Sequence, residues 1–410
     1  MKKSSKQSFT VIKNGTITTP AGFVACGLAS GIKPQGKPDL AMIVSSKLAA
    51  AAGTFTTNQV KAAPVQVSMK HLQASKGQAQ VILANSGNAN ACTGVTGIQN
   101  AKETARLAAK ATGCKKDSHV LVCSTGRIGR PLPMDILRNG IAKAAGELSD
   151  KKGLDAAKAI MTSDSVHKQV AVQIDIDGKK VTVAGCAKGA GMIDPMMATM
   201  LCFITTDAAV PPKVLSRCLI EAVEQSFNRI CVDGDMSTND TVLMLANGEA
   251  QNNPLKSYHL SLGAFQEALN FVTLDLAKKI VLDGEGVSRF VEVLVKGAYS
   301  LREAKIAAET ITKSALVKAS WCGGDPNWGR LMAALGYSSA RVREELVDIY
   351  YDGLLAVKHG LRSDCPDAKL KKVVAKKSFK ITIDLHLGSA EHTVYTTDLT
   401  EDYVTFNKGE

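Results

Sequence analysis

Lys188-Gly189-Ala190-Gly191-Met192-Ile193-Asp194-Pro195-Met196-Met197-Ala198-Thr199-Met200-Leu201 lies almost at the midpoint of the 410-residue chain. Apolar residues crowd both sides of one hydroxyl, that of Thr199. Gly189 and Gly191 permit backbone angles that a side chain forbids, and Pro195 stiffens the approach. Taken alone, a threonine among small and apolar residues is packing. The rest of the chain gives it another meaning.

A hairpin delivers the chain to this stretch. Gln169–Ile176 and Lys180–Ala184 alternate apolar and polar residues around an Asp177-Gly178 turn. Upstream, Val11–Ala25 reads as strand and turn about Asn14-Gly15, and Leu40–Ser45, Val81–Ala84 and Val120–Cys123 read as short apolar strands. Ile98–Thr112 reads as a helix closed by Gly113, Met134–Ala145 as a helix after Pro133, and Asp155–Ser163 as a helix leading to Thr162, Ser163 and Asp164. Downstream, Met200–Thr205, Val242–Ala246, Phe290–Val295, Val347–Tyr351 and Phe379–Leu387 read as strands. Pro211–Ser226, Leu262–Ile280 and Arg302–Ser320 read as helices. Strands and helices alternate in both halves, which predicts layered α/β units with sheets covered by helices. Strand order does not follow from the pattern.

Composition narrows the function classes. The chain is 45% hydrophobic and 21% charged, as expected of a globular protein with a real core. Its net charge of +12 raises the question of nucleic acid. However, the lysines are dispersed and aromatics are only 5%, so few rings interleave with them. The densest run, Lys369, Lys371, Lys372, Lys376, Lys377 and Lys380, reads as a solvated face. A positive field also concentrates acidic metabolites. Ten cysteines form no C-x-x-C pair and read as free thiols of a reducing cytosol. No zinc pattern occurs among the seven histidines. No apolar run reaches membrane-spanning length, and no targeting segment is read in Met1-Lys2-Lys3-Ser4-Ser5-Lys6, so a cytoplasmic location is expected. Asp233, Asp235, Ser237 and Asn239 alternate like a calcium loop, but Thr238 and Met244 stand where that loop needs Gly and Glu. Glu285 between Gly284 and Gly286 would repel a phosphate, and no Walker-type loop exists.

The central stretch resembles the self-cleavage segment of the glutamate/ornithine N-acetyltransferase family of arginine biosynthesis. The likeness extends to Gly53-Thr54-Phe55-Thr56-Thr57-Asn58, Ala84-Asn85-Ser86-Gly87-Asn88-Ala89-Asn90 and Cys123-Ser124-Thr125-Gly126. It continues in Phe227–Thr241, Asp283-Gly284-Glu285-Gly286 and Asp325-Pro326-Asn327-Trp328-Gly329-Arg330. The resemblance implies an α/β (α+β) layered sandwich of the ornithine acetyltransferase/aminopeptidase type, self-cleaved into an alpha chain, residues 1–198, and a beta chain, residues 199–410. Ala198-Thr199 would be the scissile bond.

Cleavage there makes chemical sense. Thr199 has no base near it in sequence, but a new N-terminal amine, with an unperturbed pKa of about 7.7–8.0, would take its hydroxyl proton. The hydroxyl would attack the Ala198 carbonyl, shift the acyl group from N to O, and water would part the chains. In the mature protein Thr199 would accept acetyl from N-acetylornithine and pass it to glutamate. The resemblance gives Thr125 and Gly126 the oxyanion-hole role. It gives Thr162, Lys188, Thr199, Glu285 and Asn407 substrate-binding roles. Lys188 suits an α-carboxylate and Glu285 an ammonium. One departure stands out: the family chain continues past that Asn to a terminal Ser or Thr, whereas here Lys408-Gly409-Glu410 follow.

No cofactor or metal is expected. Acetyl-CoA is left open as a second donor. The resemblance implies an assembly of two alpha and two beta chains, with no nucleic-acid or membrane partner. The competing readings are an amidase or aminopeptidase of N-terminal-nucleophile type, in which water accepts the acyl group, and a non-catalytic relative.

Overall fold

An unbroken apolar run such as Leu40-Ala41-Met42-Ile43-Val44 cannot face water on either side, so it belongs inside a sheet covered on both faces. The computed structural model, which describes residues 8–194 and 200–408, uses it in that way. The described chain divides into two compact units. Residues 8–189, 200–228 and 236–280 form the first; residues 190–194, 229–235 and 281–408 form the second. Both sides of residues 195–199 therefore contribute to each unit. The Ala198–Thr199 bond, and with it the position of Thr199, lies outside the described residues.

The first unit holds β1 (Phe9–Val11), β2 (Phe23–Leu28), β3 (Leu40–Phe55), β4 (Gln78–Asn88), β5 (Val120–Arg127), β6 (Lys168–Ile176), β7 (Lys179–Lys188) and β8 (Leu201–Thr206). Strands are numbered along the chain; β9 (Ile230–Cys231) belongs to the second unit, and β10 (Thr241–Ala246) returns to the first. The sheet runs β1-β6-β7-β8-β10-β3-β4-β5, with β2 paired to β3. The hairpin expected around Asp177-Gly178 is β6–β7, in continuous antiparallel register from Lys168↔Ala187 to Ile176↔Lys179. Strands β8 and β10 are parallel, as are β4 and β5.

Alternation along the central strands sorts two cores. Leu40, Met42, Val81, Leu83, Val120 and Val122 pack against helices α1 (Ala63–Ala74), α2 (Gly94–Thr112) and α3 (Met134–Gly146). Their neighbours Ala41, Ile43, Ile82, Ala84, Leu121 and Cys123 cluster with Ala156, Ala157 and Ala159 of α4 (Gly153–Ala159). The unit is thus layered as the pattern predicts. Gly113, at φ 71°, closes α2. Pro212 opens α5 (Pro212–Glu224), and Val272 and Leu276 of α6 (Leu262–Leu282) lie over Gly185 of β7.

The second unit has its own sheet and core. Its remaining strands are β11 (Phe290–Ala298), β12 (Asp348–Tyr351), β13 (Leu354–Lys358), β14 (Leu361–Arg362), β15 (Ser378–Asp384) and β16 (Ala390–Thr397), in the order β14-β13-β12-β15-β11-β16-β9. Strand β16 went unread because its Glu391-His392-Thr393 opening lacks an apolar run. The single helix expected over Arg302–Ser320 is two, α7 (Leu301–Lys313) and α8 (Ala315–Cys322). Ser314 leaves helical angles and caps α8 by accepting from the Val317 amide. Helix α9 (Trp328–Gly336) starts at the Asp325–Arg330 motif, with Asn327 capping the Arg330 amide. Helices α10 (Asp367–Val374) and α11 (Glu401–Phe406) complete the unit. Lys369, Lys371 and Lys372 are exposed on α10, a solvated face as expected.

Trp321 anchors this second core. It is wholly buried and meets the Phe379 ring edge-on, with centroids 6.3 Å apart. Trp321→Ala should lower unfolding free energy by about 3–5 kcal/mol through lost burial and the cavity left behind. Urea titration followed by circular dichroism measures it; a loss below about 1 kcal/mol would show that the site collapses freely.

Candidate active site

The site begins where β7 ends. Lys188 is its last residue, buried to 3% exposure, and its backbone pairs with Leu201 of β8. Burying an ammonium is costly unless it is hydrogen-bonded or paired. Lys188 Nζ donates to Thr162 Oγ1 at 3.1 Å. Thr162 follows α4 and is exposed, so its hydroxyl is at the surface end of this contact. The structure thus brings together two of the expected binding residues from 26 positions apart in sequence.

A buried carboxylate holds this pair in place. Asp164 Oδ1 accepts from Lys168 Nζ at 2.6 Å and from the Gly189 amide at 2.7 Å. Asp164 Oδ2 accepts from the Thr162 amide at 2.9 Å. The side chains of Asp164 and Lys168 are fully out of solvent. Burial pushes the Asp164 carboxyl up, but Lys168 and Lys188, with the Gly189 amide, outweigh it, and the group stays below its usual range. Gly189 has φ 151°, so the amide that meets Asp164 belongs to a residue in a region side chains avoid.

Thr125 and Gly126 end β5 of the same unit. Thr125 is buried and Gly126 exposed. Gly126 has φ 129°, and a Cβ there would lie 2.4 Å from the Gly87 carbonyl carbon, so only glycine fits. Asn85–Asn88, whose Asn and Gly suggest a loop, is the end of β4, paired in parallel with β5, and braces this strand end. Ser124 Oγ donates to Asn85 Oδ1 at 2.6 Å, and Asn85 Nδ2 to the Asn88 carbonyl at 2.9 Å. Asn239 Nδ2 donates to the Ala89 and Ser124 carbonyls at 2.7 and 2.8 Å. Beside β8, Asp240 is buried and accepts from the Met200 amide at 3.0 Å.

Glu285 and Asn407 belong to the second unit and meet there. Asn407 Nδ2 donates to Glu285 Oε2 at 3.1 Å. The Glu285 carboxylate lies over Gly191, where a Cβ would be 2.3 Å from Oε2. The Glu285 amide also donates to the Ala190 carbonyl at 3.0 Å. Asp233 fixes the neighbouring residues, accepting from the Met192 and Ile193 amides at 2.6 and 2.8 Å and from Tyr403 Oη at 3.3 Å. Lys313 pairs with Asp194 at 2.6 Å. Burial raises the Asp194 carboxyl more than Lys313 lowers it, and burial raises that of Asp233 as well. Within the Asp233–Asn239 alternation, Asp233 and Ser237 accept from backbone amides and Asn239 donates to backbone carbonyls. Among the described residues, no group of three His, Cys, Asp or Glu is placed to hold a metal.

Sequence reasoning passed over Asp164 as a ligand organiser, and missed Lys168, Lys33 and Asp39 altogether. Asp39 accepts from the amides of Ser30, Gly31 and Lys33, forming a tight turn that ends next to Gly87. Lys168 is four residues from Asp164, and Asp39 is near its amides in sequence, but no local pattern shows that these groups are buried.

Two α/β units, one of them presenting a buried lysine tied to a threonine hydroxyl at a strand end, define a protein suited to receive a small carboxylate. Comparison supplies the family. The ArgJ family model matches residues 24–409. A protein of Symbiobacterium thermophilum named as the arginine biosynthesis bifunctional protein ArgJ is 48% identical over 96% of this chain and 98% of its own length. Its namesake from Geobacter sulfurreducens is 46% identical over 94% and 98%. The structure of an ornithine acetyltransferase from Mycobacterium tuberculosis complexed with ornithine is 40% identical, with TM-score 0.42, over 47% of this chain and 99% of that one. The chain belongs to the ArgJ family.

Asp164→Asn should destabilise the protein by about 3–5 kcal/mol at neutral pH, because Lys168 keeps a buried charge without its counter-ion. The folded pKa of Asp164 is depressed. Its contribution is therefore complete above the unfolded value of about 3.9 and fades as pH falls through the lower folded value. Denaturation curves for parent and variant should converge in strong acid; a gap independent of pH would assign the loss to packing.

Proposed function

We propose that this chain is the acetyltransferase of arginine biosynthesis that moves acetyl from N-acetylornithine to glutamate. The observation that carries the reading is family membership across residues 24–409, joined to a Lys188–Thr162 contact organised by Asp164. Thr199 is the nucleophile, freed by cleavage of the Ala198–Thr199 bond. Its α-amine takes the hydroxyl proton, an acetyl ester forms on Oγ1, and ornithine leaves with the proton. The amine of glutamate then attacks the ester and regenerates the hydroxyl. Thr125 and Gly126 stabilise the oxyanion in both attacks; one such donor is worth about 3–4 kcal/mol of barrier.

Lys188 and Thr162 take the α-carboxylate that both substrates carry. Glu285, held by Asn407, accepts the ammonium of ornithine. Acetyl-CoA is a further donor to glutamate, and the working form is two alpha and two beta chains in the cytoplasm. Ten free cysteines suit a reducing compartment. Among the described residues, no helix is long and apolar enough to cross a membrane.

Labelled N-acetylornithine, supplied with and without glutamate, tests the reaction. Label should stay on the 199–410 chain until glutamate is added and then appear in N-acetylglutamate. Release of free acetate with no gain from glutamate would instead mean a hydrolase.

Thr199→Ala should remain one full-length chain and bind no label. A Thr199→Ala protein that is still cut at this bond would refute attack by the threonine hydroxyl.

Glu285→Ala should slow ornithine release by about 1–3 kcal/mol more than acetyl transfer to glutamate, since only ornithine brings a second ammonium. Rates of the two half-reactions measured separately decide this; equal losses would place Glu285 on the shared amine or on the protein itself.

A further inference from the structure

Lys33 stands beside the candidate site with nothing in the proposed mechanism for it to do. Its side-chain stem lies against Gly87, where a Cβ would come 3.0 Å from Lys33 Cγ. Gly87 is paired with Gly126 in the β4–β5 register. Its ammonium reaches across to the residues after α4, donating to the Met161 carbonyl at 2.5 Å and to the Pro38 carbonyl at 2.9 Å. Met161 precedes Thr162, the partner of Lys188. Two lysines thus converge on adjacent residues, Lys33 on Met161 and Lys188 on Thr162.

The charge balance around Lys33 is incomplete. Among the described residues it forms no ion pair. The nearby carboxylates are engaged elsewhere: Asp39 with the amides of its own turn, and Asp164 with Lys168, Gly189 and Thr162. Burial pulls the Lys33 ammonium down to about 8, against the attraction of Asp39 and Asp164 and with the repulsion of Lys188 adding to it. A half-buried cation held only by carbonyls gains when a ligand brings an anion to it. Carbonyl contacts leave one of its three N–H donors for that anion.

The two substrates differ in the matching respect. N-acetylornithine has one carboxylate, which Lys188 serves. Glutamate has two. We propose that Lys33 is the residue that selects the acceptor, its ammonium pairing with the side-chain carboxylate of glutamate while Lys188 holds the α-carboxylate. The assignment rests on the acetyl-transfer reading above. It makes donor and acceptor compete for Lys188 but not for Lys33.

Lys33→Met tests it, since methionine keeps the stem over Gly87 and removes the charge. Binding of glutamate, glutamine and N-acetylornithine to the full-length parent and variant proteins is measured by calorimetry, and the two half-reactions are followed by label transfer. Glutamine is the control acceptor, nearly the same shape without the second charge. The parent should bind glutamate about 10- to 100-fold more tightly than glutamine. In Lys33→Met that preference should disappear, while N-acetylornithine binding and ornithine release stay within about twofold. A parent that does not distinguish glutamate from glutamine overturns the assignment. So does a variant that keeps the preference, or one that loses N-acetylornithine and glutamate binding together, because Lys33 would then only hold the Met161 carbonyl. Failure of the parent to form a labelled adduct would sink the acetyl-transfer reading alone; the binding preference still decides Lys33.

Discussion

The buried carboxylate of Asp164 is the point on which the site in the first unit depends. A carboxylate out of water must find donors, and this one takes Lys168, the Gly189 amide and the Thr162 amide. Those contacts fix both ends of the Lys188–Thr162 pair, one through the amide of Gly189, next to Lys188, and one through the amide of Thr162 itself. Lys168 pairs with Asp164 at close range, and Lys188 donates to the Thr162 hydroxyl.

A second economy lies in the segment from Arg229 to Asp240. Within the second unit Asp233 holds the Met192 and Ile193 amides, and within the first Asp240 holds the Met200 amide. These three residues flank 195–199 in sequence. Asn239, between the two acids, meanwhile ties the Ala89 and Ser124 carbonyls beside Thr125. The stretch that resembles a calcium loop is therefore bracing for backbone. Side chains of one short segment serve both the residues around 195–199 and the strand end that carries the oxyanion candidates.

Much of the layered α/β character was legible, because unbroken apolar runs such as Leu40–Val44 and the alternating β6–β7 hairpin carry their own signal. Strand order was not: β8 beside β10 and β9 beside β16 are parallel pairings between distant segments, with no local mark. The break at Ser314 was hidden because one capping serine inside a helical pattern looks like any exposed serine. Among the site residues, Thr162, Lys188, Glu285 and Asn407 were readable through family likeness, and the structure joins them in two pairs, one in each unit. Asp164, Lys168 and Lys33 were not readable, since what makes them matter is burial and, for Asp164 and Lys33, contact with residues far along the chain. Thr125 and Gly126 fall between these cases: the motif named them, but the clash at Gly87 gives the physical reason for the glycine.

The central claim is that Thr199 cuts the chain and then carries the acetyl group. Intact-mass measurement of the purified protein, before and after brief exposure to N-acetylornithine, tests both halves together. The account predicts two polypeptides, residues 1–198 and 199–410, and the mass of one acetyl group added to the second alone. A single uncut polypeptide that nevertheless transfers acetyl, or an acetyl group found on the first polypeptide, would contradict it.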